Sequence, residues 1–230
     1  MGPTPQLQWK YFQNTNTLIH HASRHVLETA NTAINQAQRF RVVLSGGTTP
    51  KALYTALRSG TTDWSKWEIY FTDERCLPTG DSERNDFMAQ QALLNHVPVA
   101  AVHTLPAELG PENGAIQASQ QLNNTTPFDL VLLGIGEDGH TASLFPGQNW
   151  GMEQNSPAVI PVHNSPKPPP QRLSLSLNRL ANCHQALLLS TGDAKLPALR
   201  GLAKSEDNSP LVKLAQRAPI QVYYQATQSV

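Results

Sequence analysis

Two carboxylates and an imidazole lie within four positions of one glycine-rich segment, at Glu137, Asp138 and His140. Histidine is the side chain best suited to take up a proton near neutral pH, provided that it is held in place. Residues 134–139 include three glycines, which leave the backbone free to turn sharply. The segment therefore indicates proton-transfer chemistry, with His140 as the candidate general base. A turn in which His140 is only a capping residue explains the same pattern and stays open at this point.

A second segment, residues 45–50, reads SGGTTP and indicates an anion site. Proline is favoured at the first position of a helix, so a helix is predicted over residues 50–58. Its free N–H groups and positive dipole end would face the preceding loop, an arrangement that binds phosphate. The loop residues are Ser45, Gly46, Gly47 and Thr48. The pattern is neither a Walker A loop nor a dinucleotide motif, and a plain βα turn with a threonine cap is the alternative interpretation.

Further charged residues lie beside other apolar runs. One run leads directly into Asp73, Glu74 and Arg75, another leads into a Gly-Asp-Ala-Lys segment that ends at Lys195, and Arg172 opens an alternating strand pattern. Arginine and lysine together with backbone donors suit a phosphate group. These residues belong to one site if the fold brings them together.

The elements that must position these residues alternate between strand and helix. Apolar runs predict strands at residues 7–12, 41–44, 67–72, 102–105, 129–133, 186–190 and 220–224. Amphipathic spacing predicts helices over residues 19–37, 50–58, 84–95, 112–122, 191–202 and 209–217. This order predicts an α/β fold with an open, mainly parallel, doubly wound sheet flanked by helices, a Rossmann-like three-layer sandwich.

In such a sheet ligands bind at the carboxyl ends of the strands, so the polar clusters are expected to converge there. The proline-rich residues 156–171 are expected to form a long ordered loop. Residues 173–177 alternate with period 2, and we expect them to return to the same sheet as a half-exposed strand. All residues, 1–230, are expected to form one domain.

Composition narrows the function classes. The 230 residues are 39% hydrophobic, which is enough for a sizeable core, and contain no apolar stretch of roughly 20 residues that could span a membrane. Seventeen basic residues balance seventeen acidic ones without a basic run, so no nucleic-acid partner is expected. Cys76 and Cys183 have no CxxC partner, which gives neither a disulfide framework nor a Cys-rich zinc site. Without a recognisable secretory signal, we expect a soluble, cytoplasmic protein.

Longer motifs identify a resemblance. The segments SGGTTPKALY, FTDERCLP and FDLVLLGIGEDGHTASLFPG, followed by Arg172 and GDAK, resemble 6-phosphogluconolactonases in the same order across residues 41–202. The resemblance implies hydrolysis of 6-phospho-D-glucono-1,5-lactone to 6-phosphogluconate in the oxidative pentose phosphate pathway. It implies no redox cofactor, and the only partner is the sugar-phosphate lactone. No cofactor and no metal ligand are assigned, and whether a bound metal assists stays open. We expect a monomer or a weak homo-oligomer.

The resemblance also implies roles for the residues that match its motifs. His140 would be the general base, Asp138 would orient the imidazole or the water, and Arg75 would stabilise the developing oxyanion or bind the phosphate. The implied substrate or phosphate contacts are Ser45, Gly46, Gly47, Thr48, Asp73, Arg172 and Lys195. The roles of Glu137 and Arg84 stay open; Arg84 stands where the family often has a serine before an asparagine.

Two other functions are weighed against this one. Glucosamine-6-phosphate deaminases are similar up to the histidine but carry a carboxylate five residues beyond it, where this chain has Phe145. Their Asp-Glu pair is followed by tyrosine, where this chain has Arg75. A non-catalytic sugar-phosphate sensor fused to a transcription regulator would need no Asp138/His140 pair and would usually accompany a helix-turn-helix domain, for which the chain has no basic patch.

Overall fold

The strands and helices of the computed structural model lie within residues 6–122, 126–204 and 208–226, which are the residues that the structure describes. The strands are β1 (Leu7–Phe12), β2 (Phe40–Leu44), β3 (Trp67–Phe71), β4 (Asp73–Arg75), β5 (Ala101–Val102), β6 (Leu130–Leu133), β7 (Val159–Val162), β8 (Arg172–Leu175), β9 (Ala186–Thr191) and β10 (Ile220–Gln225). The α-helices are α1 (Thr15–Ala37), α2 (Thr48–Leu57), α3 (Asn85–Ala92), α4 (Pro111–Gln121), α5 (Leu177–Ala181), α6 (Leu196–Lys204) and α7 (Pro210–Ala215).

Seven strands form the main sheet, in the order β1-β10-β9-β6-β2-β3-β5, and every neighbouring pair is parallel. From β2 the chain moves outward through β3 and β5 and then returns to place β6 on the other side of β2. The strand order therefore reverses between β2 and β6. Such a switch point opens a crevice at the carboxyl ends of the two strands, where open α/β sheets bind their ligands.

The central strands are covered on both faces. All four residues of β6 are buried, and Leu132 pairs in register with Leu187 of β9. Helix α1 packs against α2 and crosses β2 and β10 through its apolar stripe, which includes Ala22, Val26 and Ala30. Burial of each large aliphatic side chain contributes about 1.5–3 kcal/mol, so this core holds the strand ends rigidly in place.

A smaller antiparallel sheet, in the order β4-β8-β7, lies beside the main one. The prediction that residues 173–177 form a half-exposed strand of the main sheet is wrong. Residues 172–175 form the central strand of the small sheet, and all four are buried. Helix α4 packs on this sheet, and Leu173 lies against Gly114 of that helix, so the helix helps to bury the strand.

The predicted main-sheet strands and the predicted helices are otherwise confirmed, with their ends shifted by a few residues. The segment predicted as a helix over residues 191–202 begins as a 3₁₀ turn at Asp193–Lys195 before α6. Two strands, β4 and β7, were not predicted. Among the helices of the described ranges, none is long and apolar enough to cross a membrane. The assignment of all 230 residues to one domain stays a prediction.

Candidate active site

A cleft of about 350 Å³ lies at the switch point, above the carboxyl ends of β2 and β6. It is lined by Ser45, Gly46, Gly47, Thr48, Thr49, Pro50, Asp73, Arg75, Asn85, Gly134, Ile135, Gly136, Glu137, His140, Thr141, Ala142, Lys167, Pro168, Arg172, Leu189 and Lys195. The fold thus brings together residues that lie up to 150 positions apart in the chain. A volume of this size suits a small polar ligand.

Nine of the ten residues that sequence reasoning placed in the site line this cleft. They are Ser45, Gly46, Gly47, Thr48, Asp73, Arg75, His140, Arg172 and Lys195. The tenth, Asp138, does not line the cleft but contacts His140. The polar residues at the strand ends therefore converge on one cleft, as predicted.

His140 and Asp138 form a pair of the kind that general-base catalysis uses. The Nδ1 atom of His140 lies 2.5 Å from the Oδ1 atom of Asp138, which also accepts the backbone N–H of His140 at 3.3 Å. Burial raises the pKa of Asp138, but the hydrogen bond and charge of His140 outweigh burial and leave that pKa below its ordinary value. Since Asp138 engages Nδ1, the Nε2 atom is the ring nitrogen available to a ligand or water.

The backbone around this pair forms a tight turn that only glycine allows. The N–H of Gly136 donates to the carbonyl of His140 at 2.9 Å, and the N–H of Gly139 donates to the carbonyl of Gly136 at 3.0 Å. A side chain at position 136 would collide with the imidazole of His140 and the carboxylate of Asp138. The Thr141 hydroxyl closes the turn by donating to the Gly134 carbonyl at 2.8 Å. The glycines therefore hold the imidazole against the carboxylate.

The side chain of Phe145 packs directly beside the catalytic candidates. It is only 2% exposed, and its ring centroid lies 4.7 Å from that of His140. The guanidinium carbon of Arg172 lies 5.8 Å from the same centroid. One buried ring thus supports both a candidate base and a cation of the cleft.

The loop after β2 presents polar groups to the cleft. Gly47 has φ 111°, a backbone conformation that side chains other than hydrogen rarely allow, and α2 begins at the next residue. The Tyr54 hydroxyl fixes the loop by accepting the N–H of Ser45 at 2.9 Å and donating to its carbonyl at 2.7 Å. The Ser45 hydroxyl itself is buried without a hydrogen-bond partner among the described residues. A rigid loop with a spare hydroxyl and a helix N-terminus is suited to an anion.

Asp73 and Arg172 are connected through Ser143. Asp73 accepts hydrogen bonds from the Thr72 hydroxyl at 2.8 Å and from the Ser143 hydroxyl at 2.6 Å, and Arg172 donates to Ser143 at 3.4 Å. Burial lowers the pKa of Arg172, the negative charge of Asp73 opposes that effect, and the positive charge of Arg75 adds to it. Hydrogen bonds within the protein therefore hold the side chains of Asp73 and Arg172, and both residues line the cleft.

Arg75 stands on β4, beside a buried carboxylate. Its N–H donates to Glu74, its guanidinium donates to the carbonyl of Glu83, and its Nε atom is buried without a partner in the described part of the chain. Glu74 also accepts the N–H groups of Asn85 and Asp86 at the start of α3, each at 2.8 Å. Burial raises the pKa of Glu74 to about 7 against these three hydrogen bonds.

The structure answers the open question about Arg84, which lies outside the cleft lining and is buried. Its guanidinium makes a bidentate pair with Asp86, at 2.7 Å and 3.0 Å, and contacts Glu108 at 3.1 Å and Glu74 at 3.9 Å. It also donates to two backbone carbonyls, those of Leu77 and Leu105. This network holds the segment between β4 and α3, from which Arg75 and Asn85 reach the cleft.

The cleft carries more positive than negative charge. Arg75, Lys167, Arg172 and Lys195 line it, against the carboxylates of Asp73 and Glu137. Burial lowers the pKa of Lys195, while the charge of Glu137 raises it and the charge of Lys167 lowers it further. An anion placed between the two ammonium groups would relieve their mutual repulsion.

Sequence reasoning missed Asn85 and Lys167 as lining residues. The amide of Asn85 donates to the carbonyl of Asp73 at 2.9 Å, and its oxygen packs against Gly46, where a larger residue would collide. A possible signal for Asn85 was its place in a family motif. Lys167 gave no signal, because a lysine in a proline-rich loop is usually solvated. Among the described residues, no group of three or more His, Cys, Asp or Glu side chains could hold a metal ion.

Comparison with known proteins is consistent across sequence and structure. The family model described as glucosamine-6-phosphate isomerases/6-phosphogluconolactonase matches residues 13–228. The 6-phosphogluconolactonase of Streptomyces coelicolor is 37% identical over 227 residues, covering 86% of this chain and 83% of its own. That of Mycobacterium leprae is 34% identical over 204 residues, covering 82% of each chain. The crystal structure of a 6-phosphogluconolactonase from Shewanella baltica superposes with a TM-score of 0.86 at 26% identity, covering 97% of this chain and 100% of that one.

Proposed function

Since the chain belongs to the family of glucosamine-6-phosphate isomerases and 6-phosphogluconolactonases, we propose that it hydrolyses 6-phospho-D-glucono-1,5-lactone to 6-phosphogluconate. The observation that carries the proposal is the His140–Asp138 pair, whose imidazole lines an electropositive cleft of about 350 Å³. The named relatives support the lactonase within this family. The cytoplasmic location and the monomeric or weakly associated state stay predictions.

In the proposed reaction His140 acts as the general base. With Asp138 at Nδ1, the Nε2 atom takes a proton from a water molecule, whose oxygen attacks the C1 carbonyl of the lactone. The tetrahedral intermediate then collapses, the bond between C1 and the ring oxygen breaks, and His140 returns the proton to that oxygen. The products are a carboxylic acid, which ionises in solution, and a free hydroxyl group. The negative charge of Asp138 favours the imidazolium that exists between the two proton transfers.

The rest of the cleft binds the phosphate and the developing negative charge. The loop of Ser45, Gly46, Gly47 and Thr48 at the start of α2 and the ammonium of Lys195 are proposed to bind the phosphate. Arg75 lines the cleft on the side of β4, where a guanidinium would stabilise the oxyanion formed at C1. Asp73 is held by two hydroxyl donors, so we assign it the hydroxyl groups of the substrate.

The deaminase function of the same family is not favoured at this site. The position that carries the deaminase carboxylate is Phe145, whose buried ring has no group that could transfer a proton. Ring opening of an amino sugar would therefore lack an acid at this position, whereas lactone hydrolysis requires only a base and an oxyanion donor.

The proposed activity can be tested by coupling the purified protein to a 6-phosphogluconate dehydrogenase and following nicotinamide reduction at limiting lactonase. We expect an acceleration over spontaneous lactone opening that is proportional to the protein added. Equal rates with and without the protein would contradict the proposal. Non-phosphorylated glucono-1,5-lactone serves as a comparison substrate, and we expect it to be hydrolysed with a much higher KM because it lacks the phosphate.

The role of His140 is tested with His140→Ala in the same assay. Removal of a general base lowers the rate typically by about 10²–10⁴-fold, so kcat should fall by this factor while KM changes little. His96→Ala is the matched control, because His96 is exposed and, within the described residues, its ring hydrogen-bonds to the carbonyl of Gln91 on its own segment. Wild-type turnover in the His140 variant would show that another group is the base.

A further inference from the structure

The positively charged side chain of Lys167 was not among the site residues expected from the sequence, and the proposed reaction gives it no role. Lys167 lines the cleft together with Pro168, at the middle of a segment that we call the proline strap, residues 163–170. Lys195 lines the same cleft, and the positive charge of Lys167 lowers the pKa of Lys195. Two ammonium groups that face one cavity form a site for a group with two negative charges, such as a phosphate dianion.

The proline strap cannot be held by ordinary backbone pairing. Four of its eight residues are proline, which has no N–H to donate. The segment therefore has few backbone donors of its own to hold its carbonyl groups. Internally, the Ser165 hydroxyl donates to the carbonyl of Lys167 at 2.7 Å, and the N–H of Ser165 donates to the carbonyl of Pro170 at 3.0 Å.

Arg172 supplies the external donors. Its Nε atom donates to the carbonyl of Pro169 at 3.1 Å, and one terminal nitrogen donates to the carbonyls of Lys167 at 2.9 Å and Pro168 at 3.1 Å. The other terminal nitrogen donates to Ser143 at 3.4 Å. A guanidinium has five N–H groups, so four of them are used within the protein. Arg172 is itself 4% exposed, and turning it toward a ligand would break its three hydrogen bonds to the carbonyls of Lys167, Pro168 and Pro169.

We propose that Lys167 binds the phosphate group of the substrate opposite Lys195, and that Arg172 is a positioning residue that acts through Lys167 by tying the proline strap to the cleft. The inference rests on the proposed function for the identity of the substrate. It changes the role that the family resemblance implied for Arg172, from a direct phosphate contact to a support for the residue that makes the contact.

The two roles are separated by a double-mutant cycle of Lys167→Ala and Arg172→Ala, with KM for the phosphorylated lactone as the main readout. Loss of one charge-assisted hydrogen bond from a partly solvated lysine should raise KM about tenfold and leave kcat within about threefold. Arg172→Ala should raise KM by no more than Lys167→Ala. Since Arg172 acts through Lys167, the double variant should have the same KM as Lys167→Ala alone.

A conservative variant and a control complete the design. Lys167→Arg keeps the charge, so its KM should stay within a few fold of the wild type. The control is Lys204→Ala, which should leave KM unchanged because Lys204 is exposed on α6, outside the cleft. If Arg172→Ala fails to fold, as thermal unfolding by circular dichroism would reveal, Arg172→Lys replaces it in the cycle, because lysine cannot reach all three carbonyls. The double variant of Lys167→Ala and Arg172→Lys should likewise have the same KM as Lys167→Ala alone.

Binding of inorganic phosphate, measured by isothermal titration calorimetry, gives a readout that does not need turnover. Lys167→Ala should weaken phosphate binding about tenfold whatever lactone the wild type hydrolyses. An unchanged phosphate affinity in Lys167→Ala would overturn the inference. So would KM effects that multiply in the double variant, because they would mean that Arg172 contacts the substrate itself. Absence of lactonase activity in the wild type would refute the proposed function, while the phosphate titration would still test Lys167.

Discussion

Replacing Asp138 with asparagine tests whether the carboxylate acts on the reaction through the imidazole. The substitution keeps the size of the side chain and an oxygen that can accept the Nδ1–H of His140, but it removes the negative charge. The change should therefore act on the step in which the imidazole becomes positively charged, and leave substrate binding nearly unchanged.

The expected magnitude follows from the geometry. Opposite unit charges 4 Å apart attract by about 1 kcal/mol in water and about 4 kcal/mol at an effective dielectric constant of 20. The side chains of Asp138 and His140 are 38% and 17% exposed, so solvent screens the pair in part. An intermediate value of about 2 kcal/mol corresponds to a roughly 30-fold decrease in kcat, because each 1.36 kcal/mol is tenfold in rate.

The assay is steady-state turnover of the phosphorylated lactone by four proteins: wild type, Asp138→Asn, His140→Ala and the double variant. KM for Asp138→Asn should stay within about twofold of the wild type. In the double variant the Asp138 substitution should have no further effect, because the imidazole through which it acts is gone. Asp63→Asn is the matched control, because Asp63 lies at an exposed turn outside the cleft. The reasoning is refuted if Asp138→Asn lowers kcat equally with and without His140.

Three further predictions concern the frame of the site. Gly136→Ala should lower kcat by about a hundredfold with little change in Tm, because the new methyl group displaces the imidazole and the carboxylate behind it; a kcat within threefold of wild type would contradict this. Arg84→Ala should lower the free energy of unfolding by about 3–5 kcal/mol in urea titrations, since it leaves buried Asp86 without its cation. The control is Arg24→Ala, which removes an exposed pair with Glu28 on the helix surface and should lower the free energy of unfolding by less than about 0.5 kcal/mol. Glu74, whose pKa burial raises to about 7 from 4.5, binds its proton more tightly in the folded state, so its contribution to stability should be largest below pH 4.5 and be lost as the pH rises to 7. The stability difference between wild type and Glu74→Gln should therefore change by about 3 kcal/mol between pH 4.5 and 8, and a constant difference would contradict the assignment.

The fold could be predicted largely from the sequence because its signals are local. Gly134 directly follows the apolar run of β6, and Gly46 follows that of β2 after Ser45, so both the strands and their ends are visible in the chain. The small antiparallel sheet was not predictable in the same way. Strand β4 follows β3 after a single residue, Thr72, and therefore looks like a charged loop, while Pro161 lies within β7. Their pairing with β8 depends on contacts between distant segments.

The same distinction applies to the site. Motif spacing was sufficient to place His140 beside Asp138, because the two residues lie on one turn. It could not give the direction of the Arg172 guanidinium, which depends on where the proline strap passes in three dimensions. Lys167 was missed for that reason too. Residue types thus predicted every charge of the cleft that stands in a motif, whereas the charge of Lys167 and the direction of the Arg172 guanidinium depend on the fold.

The ring of Phe145 explains why the two activities of this family exclude each other at this cleft. The ring centroid lies 4.7 Å from that of His140 and 5.8 Å from the guanidinium carbon of Arg172, and the ring is almost fully buried. A carboxylate at this position, as the deaminases have, would attract the Arg172 guanidinium and compete with the carbonyls of the proline strap for its N–H groups. It would also place a second negative charge beside the imidazole that Asp138 already orients. The carboxylate that an isomerase needs at position 145 would therefore weaken the hydrogen bonds between Arg172 and the proline strap. The lactonase arrangement thus requires an uncharged side chain at this position.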